Sequence, residues 1–412
     1  MKIVLLTPNQ FDEFSNAHPL HSYYQSSNYA NLMHNYNYNI YYYGFVDDDN
    51  ILIGATMLLT QNLVANYKYA YAPRGFLMDY DNLELVQEVS EQFRSFLAKH
   101  RFVFLKIDPK IINNKRDKEG NIVPSPYENK LVEYLTSIGY AYFGENKFFG
   151  TLKPRWNAVL KVSGSAKTIF NKFDRSIKNK IRKAQSRGIE IIKGSNADIP
   201  IFYNFVAKKH NRKLDYYKKF AEAFGNKLEI YFAKLDSESY LQNIKVLLEN
   251  EQTKNEEINS EIQNAGYTNS ISTKLTNSKI TSDNLLALYK NELIKASALF
   301  TKNPNGIIIG ASAFIIGKNG VDLLIEGYNP KYSLFYPTFL IKWFVIEKYA
   351  KEGAILFDLN AITGYFAKEN KYRGLNEMKL GFGADITEYI GEFDLIINKR
   401  MYTLYSNTKL LN

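Results

Sequence analysis

Lys379 is the side chain whose setting points most directly to chemistry. Residues 372–394 read YRGLNEMKLGFGADITEYIGEFD, with Gly374, Gly381 and Gly383 around that lysine. Glycines on both sides predict an accessible backbone and an exposed side chain. The alternation of apolar and polar residues from Ile386 to Phe393 predicts a half-buried strand just beyond. A lysine held ahead of a strand can bring fixed positive charge close to a phosphate or a developing oxyanion. The same pattern also fits a surface lysine on a β-hairpin. A second signal lies at 165–188, where the spacing predicts one basic amphipathic helix. Phe170, Phe173, Ile177, Ile181 and Ala184 recur at helical intervals, and Gly188 stands where a helix would stop. Lys172, Arg175, Lys178, Lys180, Arg182, Lys183 and Arg187 surround that face, against one acid, Asp174. Like charges this dense oppose one another on a helix. The run therefore fits a phosphate-binding face, with a solvated face as the other reading.

The elements that must position these groups alternate strands and helices. Strands are expected at Ile40 to Val46, Ile51 to Thr60 and Phe102 to Asp108. A helix is expected at Leu83 to Lys99, with Leu85, Val89, Phe93 and Phe96 on one face. Lys110 to Pro126 is polar and turn-rich, which predicts a loop. Helices at Ile199 to Lys208 and Asp215 to Phe224 precede a strand at Leu228 to Lys234. Then the composition shifts. Ser237 to Gln263 is nearly all polar helix former with a narrow apolar stripe, and Leu285, Tyr289, Leu293, Ala296 and Phe300 mark a second such helix. A turn at Asn264 to Ser272 would make them an antiparallel hairpin with a coiled-coil seam. Strands at Ile307 to Ile316, Val321 to Gly327 and Ile355 to Leu359, and a helix from Tyr336 to Lys351, complete a mixed α/β chain.

Composition narrows the partners. The 412 residues are 45% hydrophobic, enough for packed cores in two or three domains, and carry a formal net charge of +10. That balance favours an anionic partner such as nucleic acid, a nucleotide or an acidic membrane surface. With no cysteine, disulfides, thiolate zinc sites and a cysteine nucleophile are excluded. The five histidines (His18, His21, His34, His100, His210) show no metal-binding spacing, so no metal or other cofactor is expected. The apolar start MKIVLL is too short for a signal peptide, and Ile307 to Gly317 is about half of a membrane span. A soluble, cytoplasmic protein is the expectation.

YAPRG at 71–75, FDRSIKNKIRKAQSRG at 173–188, MKLGFG followed by EYIGEFD, and the helical arm between two α/β parts occur in a characteristic order. In this the chain resembles, over essentially its whole length, the Fem family of peptidoglycan bridge-forming transferases, which includes FemA, FemB, FemX, MurM and MurN. The resemblance implies two acetyltransferase-like (GNAT) domains, the second interrupted by the arm. The division would be 1–158, then 159–236 with 304–387, the arm at 237–303, and 388–412 returning to the first domain. It implies transfer of an amino acid from aminoacyl-tRNA to the side-chain amine at the third position of a stem peptide, on lipid II or on UDP-MurNAc-pentapeptide. Peripheral contact with the inner face of the membrane would follow; DNA would not be a partner.

Site residues carry over by position. Lys379 matches the family lysine near the reacting centre, and Asp108 an acid considered as base, although a strand-end capping aspartate is an equal reading. Arg212 and Tyr216 resemble the pair that grips the acceptor, with Lys213 and Tyr217 as neighbours in a shifted alignment. Arg74 and Gly75 would lie at the substrate, and Arg175, Lys178, Arg182 and Lys183 at the tRNA. Two departures favour lipid II: Asn31 or Met33 where FemX-type enzymes have a lysine, and Leu323 and Ile325 where they have tyrosines. An acetyl-CoA-dependent acetyltransferase would need a pyrophosphate loop, for which Met378 to Gly383 is the nearest match. An RNA- or partner-binding protein without transfer activity is the non-enzymatic alternative.

Overall fold

The computed structural model describes residues 1–124, 130–209, 211–266, 272–318 and 320–406. Two eight-stranded sheets organise it. The first runs in the order Lys2–Leu5, Asn39–Val46, Leu52–Asn62, Lys68–Ala72, Phe102–Ile107, Phe393–Ile396 and Tyr140–Tyr142, with Leu77–Met78 paired to Leu52–Asn62. The second runs Ile189–Lys193, Leu228–Leu235, Ile307–Ile316, Gly320–Tyr328, Leu356–Ala361, Trp156–Lys161, Asp385–Tyr389 and Ile112–Lys115. The expected mixed α/β class is therefore the one that forms.

The helix Leu83–Lys99 covers the first sheet. Val86, Val89, Phe93 and Leu97 are its buried apolar residues, and Leu85 and Phe96 flank them. The stripe is thus turned slightly from the one read in the sequence. Pro337–Lys351 covers the second sheet beside the basic segment, burying Ile341, Val345 and Ile346 against Ile177 and Ile181. A third core joins the halves. In it Leu59 and Leu77 of the first sheet meet Phe220 and Phe224 of the helix Leu214–Phe224.

Two helices of 30 residues each, Ser237–Gly266 and Thr273–Lys302, form the arm, about 45 Å long at 1.5 Å per residue. Midway, Asn255 is buried and donates to the Ser282 hydroxyl and the Asp283 carboxylate, each at 2.9 Å. A buried polar group paired across the seam penalises slipped registers, because sliding would leave it unpaired. Of the turn expected at Asn264 to Ser272, residues 264–266 continue the first helix and 267–271 lie outside the described residues, as do His210 and residues 407–412.

Four expectations change. The basic run is two helices, Ala166–Lys172 and Arg175–Ser186, because Phe173 and Asp174 are extended between them. Phe173 turns inward to pack its ring on Trp343 and Phe382, and the Asp174 N–H donates to Gly381 O at 2.8 Å. Lys110 to Pro126 is not only loop: Ile112–Lys115 pairs with Asp385–Tyr389 at the sheet edge. The run 386–393 is not one strand. Asp385–Tyr389 ends in the second sheet, and after Gly391 (φ 99°) the chain enters the first as Phe393–Ile396. Finally, the boundary expected at 158 falls inside Trp156–Lys161, which lies wholly in the second sheet.

Candidate active site

Gly320–Tyr328 and Leu356–Ala361 pair in parallel only through Gly320–Leu356, Val321–Phe357 and Asp322–Asp358, then diverge. Asn360 bridges the start of the split by donating to Leu323 O at 2.9 Å. Beyond it the backbone of the splayed strands is open to other partners. Lys379 uses one of these, donating from Nζ to Ala361 O at 2.8 Å. It projects from the short helix Arg373–Leu380, not from a hairpin, and is only 8% exposed. The expectation of an exposed lysine is corrected here. Asn376 clamps that helix down: its amide accepts from Thr363 N and donates to Thr363 O, both at 2.9 Å.

Of the three glycines, Gly381 has a clear steric duty. A Cβ there would lie 2.8 Å from the Ile177 side chain and 2.9 Å from Glu377 O. The start of the basic helix Arg175–Ser186 therefore packs directly against the end of the Lys379 helix. Gly383 adopts a left-handed φ of 75°, which favours glycine. At Gly374 an added Cβ would meet nothing.

Burial pushes the Lys379 ammonium down to about 8, with Lys342 adding to the shift and Glu326 and Asp358 opposing it. Lys342, fully buried on Pro337–Lys351, pairs with Glu326 at 2.5 Å. Glu326, already paired with Lys342, and Asp358 therefore offset the Lys379 charge only in part, in a desolvated place. The excess positive charge suits a phosphate or an oxyanion. Sequence reading missed Lys342 and Glu326, whose only signal was a charged residue at a core position of an apolar element.

Arg74 and Asp108 meet as one unit. Asp108 Oδ1 accepts the Arg74 N–H at 2.7 Å, and Oδ2 accepts the Tyr71 hydroxyl at 3.1 Å. Burial raises the Asp108 carboxyl, while Arg74 opposes the shift. The contacts hold Arg74 in a left-handed backbone, φ 56°. Its guanidinium then lies 4.6 Å from the centre of the Tyr389 ring and donates to Pro154 O at 2.6 Å. Arg74 lines the cleft between the two sheets; Asp108 stands behind it. Gly75 is buried, and a Cβ there would meet Gln25 Nε2 at 3.0 Å and Thr56 Oγ1 at 3.1 Å, so its glycine serves packing.

Arg212 and Tyr216 come together as expected, guanidinium over ring at 4.4 Å. Tyr217 turns into the core beside Phe202, while the Tyr216 ring packs against Tyr36 and Phe220. Leu323 borders the cleft, whereas Ile325 is buried under Ile199–Val206. Asn31 is exposed on Ser27–His34, and Met33 packs at the third core. Lys153 was missed. It donates to the Tyr29 hydroxyl at 2.9 Å and lies 3.9 Å from the centre of the Tyr24 ring. Burial lowers its pKa, with Arg212 and Arg74 adding to the shift. Its signal was the triplet Lys153-Pro154-Arg155 just before a strand.

On the basic helix, Arg175, Arg182 and Lys183 are exposed, and half-buried Lys178 donates to Asn171 O at 3.2 Å. Arg187 is different: it is buried, paired with Glu292 of the arm, and donates to Leu334 O at 2.8 Å. It ties the arm to the segment Pro330–Phe335 and is not available to a phosphate as the sequence suggested.

The FemAB family model matches residues 6–409. The chain belongs to the FemAB family. It is 25% identical over 430 residues to aminoacyltransferase FemA of Staphylococcus epidermidis, covering 100% of both chains. With aminoacyltransferase FemA of Staphylococcus aureus the identity is 24% over 422 residues, covering 99% of this chain and 98% of the relative. The crystal structure of FemX superposes with a TM-score of 0.75 at 19% identity, covering 99% of this chain and 100% of the other. This FemAB chain therefore shares the FemX fold. Among its described residues no helix is long and apolar enough to cross a membrane.

Proposed function

We propose that this FemAB chain is an aminoacyltransferase that carries an amino acid from aminoacyl-tRNA to a primary amine of a peptidoglycan precursor, the side-chain amine of the third stem-peptide residue, in building the interpeptide bridge. One observation carries the reading: a buried, under-neutralised lysine, Lys379, stands at the split of two strands, with a basic helix packed against it through Gly381. The helix would hold tRNA phosphates while Lys379 meets the charge at the 3′ end.

The donor ester is already activated, so positioning and charge stabilisation are the main tasks. The acceptor nitrogen, once deprotonated, attacks the ester carbonyl. The carbon–oxygen bond then breaks, and the ribose oxygen leaves with the electron pair and takes a proton. Lys379 offsets the charge on the oxyanion or on the neighbouring phosphate. Arg74 faces the acceptor from the cleft, with Lys153 and Arg212 adding positive charge nearby and Tyr216 as a stacking surface. Asp108 acts through Arg74, which it positions. Asn31, Met33, Leu323 and Ile325 support lipid II over UDP-MurNAc-pentapeptide, and hence work at the cytoplasmic membrane face. Single-turnover transfer from aminoacyl-tRNA to lipid II tests the reading; tRNA binding without transfer would leave an RNA-binding protein in its place.

The basic helix makes its own prediction. Replacing Arg175, Lys178, Arg182 and Lys183 with alanine removes four positive charges. Each phosphate contact adds about 0.7–0.9 to the slope of log affinity against log salt, so the slope should flatten by roughly 3. Filter binding across a salt series measures it, and an unchanged slope would return these residues to a solvated face.

A further inference from the structure

We infer that Asp322, Asp358 and Asn157 form the subsite that receives the primary ammonium of the acceptor. The inference rests on the transferase reading above and identifies the group the cleft recognises. Asp322 and Asp358 are register partners on adjacent parallel strands, at the last pair before the strands diverge. Adjacent strands lie about 4.8 Å apart, so one small cation can reach both carboxylates. Both border the cleft, as does Asn157.

The second, independent observation is Asn157. It is 6% exposed, and its Oδ1 has no hydrogen-bond partner. Its amide nitrogen donates to Asp358 Oδ2 at 2.8 Å, which fixes the orientation of the amide. Turning it over would set two oxygens against each other. A buried acceptor without a donor is costly, and here it stands beside a carboxylate. The Asp322 side chain makes no hydrogen bond or ion pair among the described residues. Asp358 has partners in Asn157 and in the Asn360 N–H, at 2.7 Å. Asp108, the carboxylate that sequence favoured, is already engaged on both oxygens. The unmet acceptor capacity lies with Asp322 and Asn157.

What is missing is a compact donor with positive charge. A primary ammonium supplies three N–H donors and one charge. The cleft offers about 30 Å³, room for one small polar group. Lys110 and Arg74 on the same walls disfavour a divalent ion. Burial and the neighbouring Asp358 push the Asp322 carboxyl up to about 6, against Lys110 and Arg74. Tyr23, Tyr24 and Tyr389 are the other titratable groups that line this cleft. An arriving cation would relieve the repulsion between the two acids.

The test uses a soluble stem pentapeptide with lysine at its third position, its side-chain amine free or acetylated. Binding is measured by calorimetry with the whole protein and no donor. Wild type should favour the free amine by about tenfold or more, the size expected of a hydrogen bond to a charged group. Asp322→Asn and Asp358→Asn should bring the preference close to unity. Thermal melting controls for folding. If Asp358→Asn is unfolded, Asp322→Asn alone decides, because the Asp322 side chain holds nothing else in place. Equal affinity of wild type for both peptides would mean that the corner takes only water and would overturn the subsite, as would variants that keep the preference. Transfer to lipid II, measured in parallel, separates the two readings. Transfer without amine preference overturns the subsite alone; absence of both binding and transfer overturns the function with it.

Discussion

Lys379→Met should lower single-turnover transfer by about 10²–10³-fold, the usual effect of removing one group that stabilises developing charge. The same substitution should leave the protein more stable at neutral pH. The folded-state pKa of about 8 lies below the ordinary lysine value of 10.5. Between those values the unfolded chain binds the proton more strongly than the folded one. The penalty for burying the charge is therefore fully present below pH 8 and fades as pH rises towards about 10.5. Removing it should raise stability at pH 7 by about 1–3 kcal/mol, less whatever the bond to Ala361 O contributes. The advantage of the variant should shrink above pH 8. Transfer by wild type should fall over the same range as Lys379 loses its charge. Lys379→Arg keeps the charge in a different shape, so it should restore part of the activity and move the alkaline limb upward. Full activity in a folded Lys379→Met protein would remove this residue from the mechanism.

Glu388→Gln should be the most destabilising single change outside the site, at about 3–5 kcal/mol. Glu388 is fully buried where the chain passes from one sheet to the other. It accepts from Arg155 at 2.9 Å and from Arg116 at 2.6 Å, and Asn113 donates to it at 3.2 Å. The amide keeps the shape and leaves the fully buried Arg155 charge without a counter-charge. Combining Glu388→Leu with Arg155→Met should cost less than the sum of the singles, because the pair is removed together. Calorimetric unfolding of wild type, Glu388→Gln, the two other singles and the double variant measures this; a Glu388→Gln midpoint equal to wild type would show that the ion pair contributes nothing.

Local periodicity made the long elements legible. Leu83–Lys99 appears with the bounds read from sequence, and the arm helices start and stop close to their signals. Such patterns need only neighbours in the chain. Lys379 was legible as a charge among glycines, but its burial was not, since Ala361, Glu326 and Lys342 reach it from three other elements. Asp322 and Asp358 became visible only once two strands separated by a helix were paired. Arg187 read as one more phosphate ligand because its partner, Glu292, lies 105 residues away. Ile112–Lys115 was hidden for another reason: INNK has little strand preference of its own and forms at the edge of an existing sheet.

The strand Phe393–Ile396 has a consequence for how the protein is made. It lies between Phe102–Ile107 and Tyr140–Tyr142 and pairs with both. During translation those two strands leave the ribosome while the segment that joins them is still unmade. The amino-terminal sheet must therefore wait, with the edge of Phe102–Ile107 unpaired, through synthesis of the arm and the entire second sheet. An open edge of this kind is a template for the wrong partner, and domains usually escape that hazard by folding in order as they emerge. Here the order is reversed: residues made after the second sheet close the first. Closure of the first sheet therefore follows synthesis of residue 396, not completion of the first half.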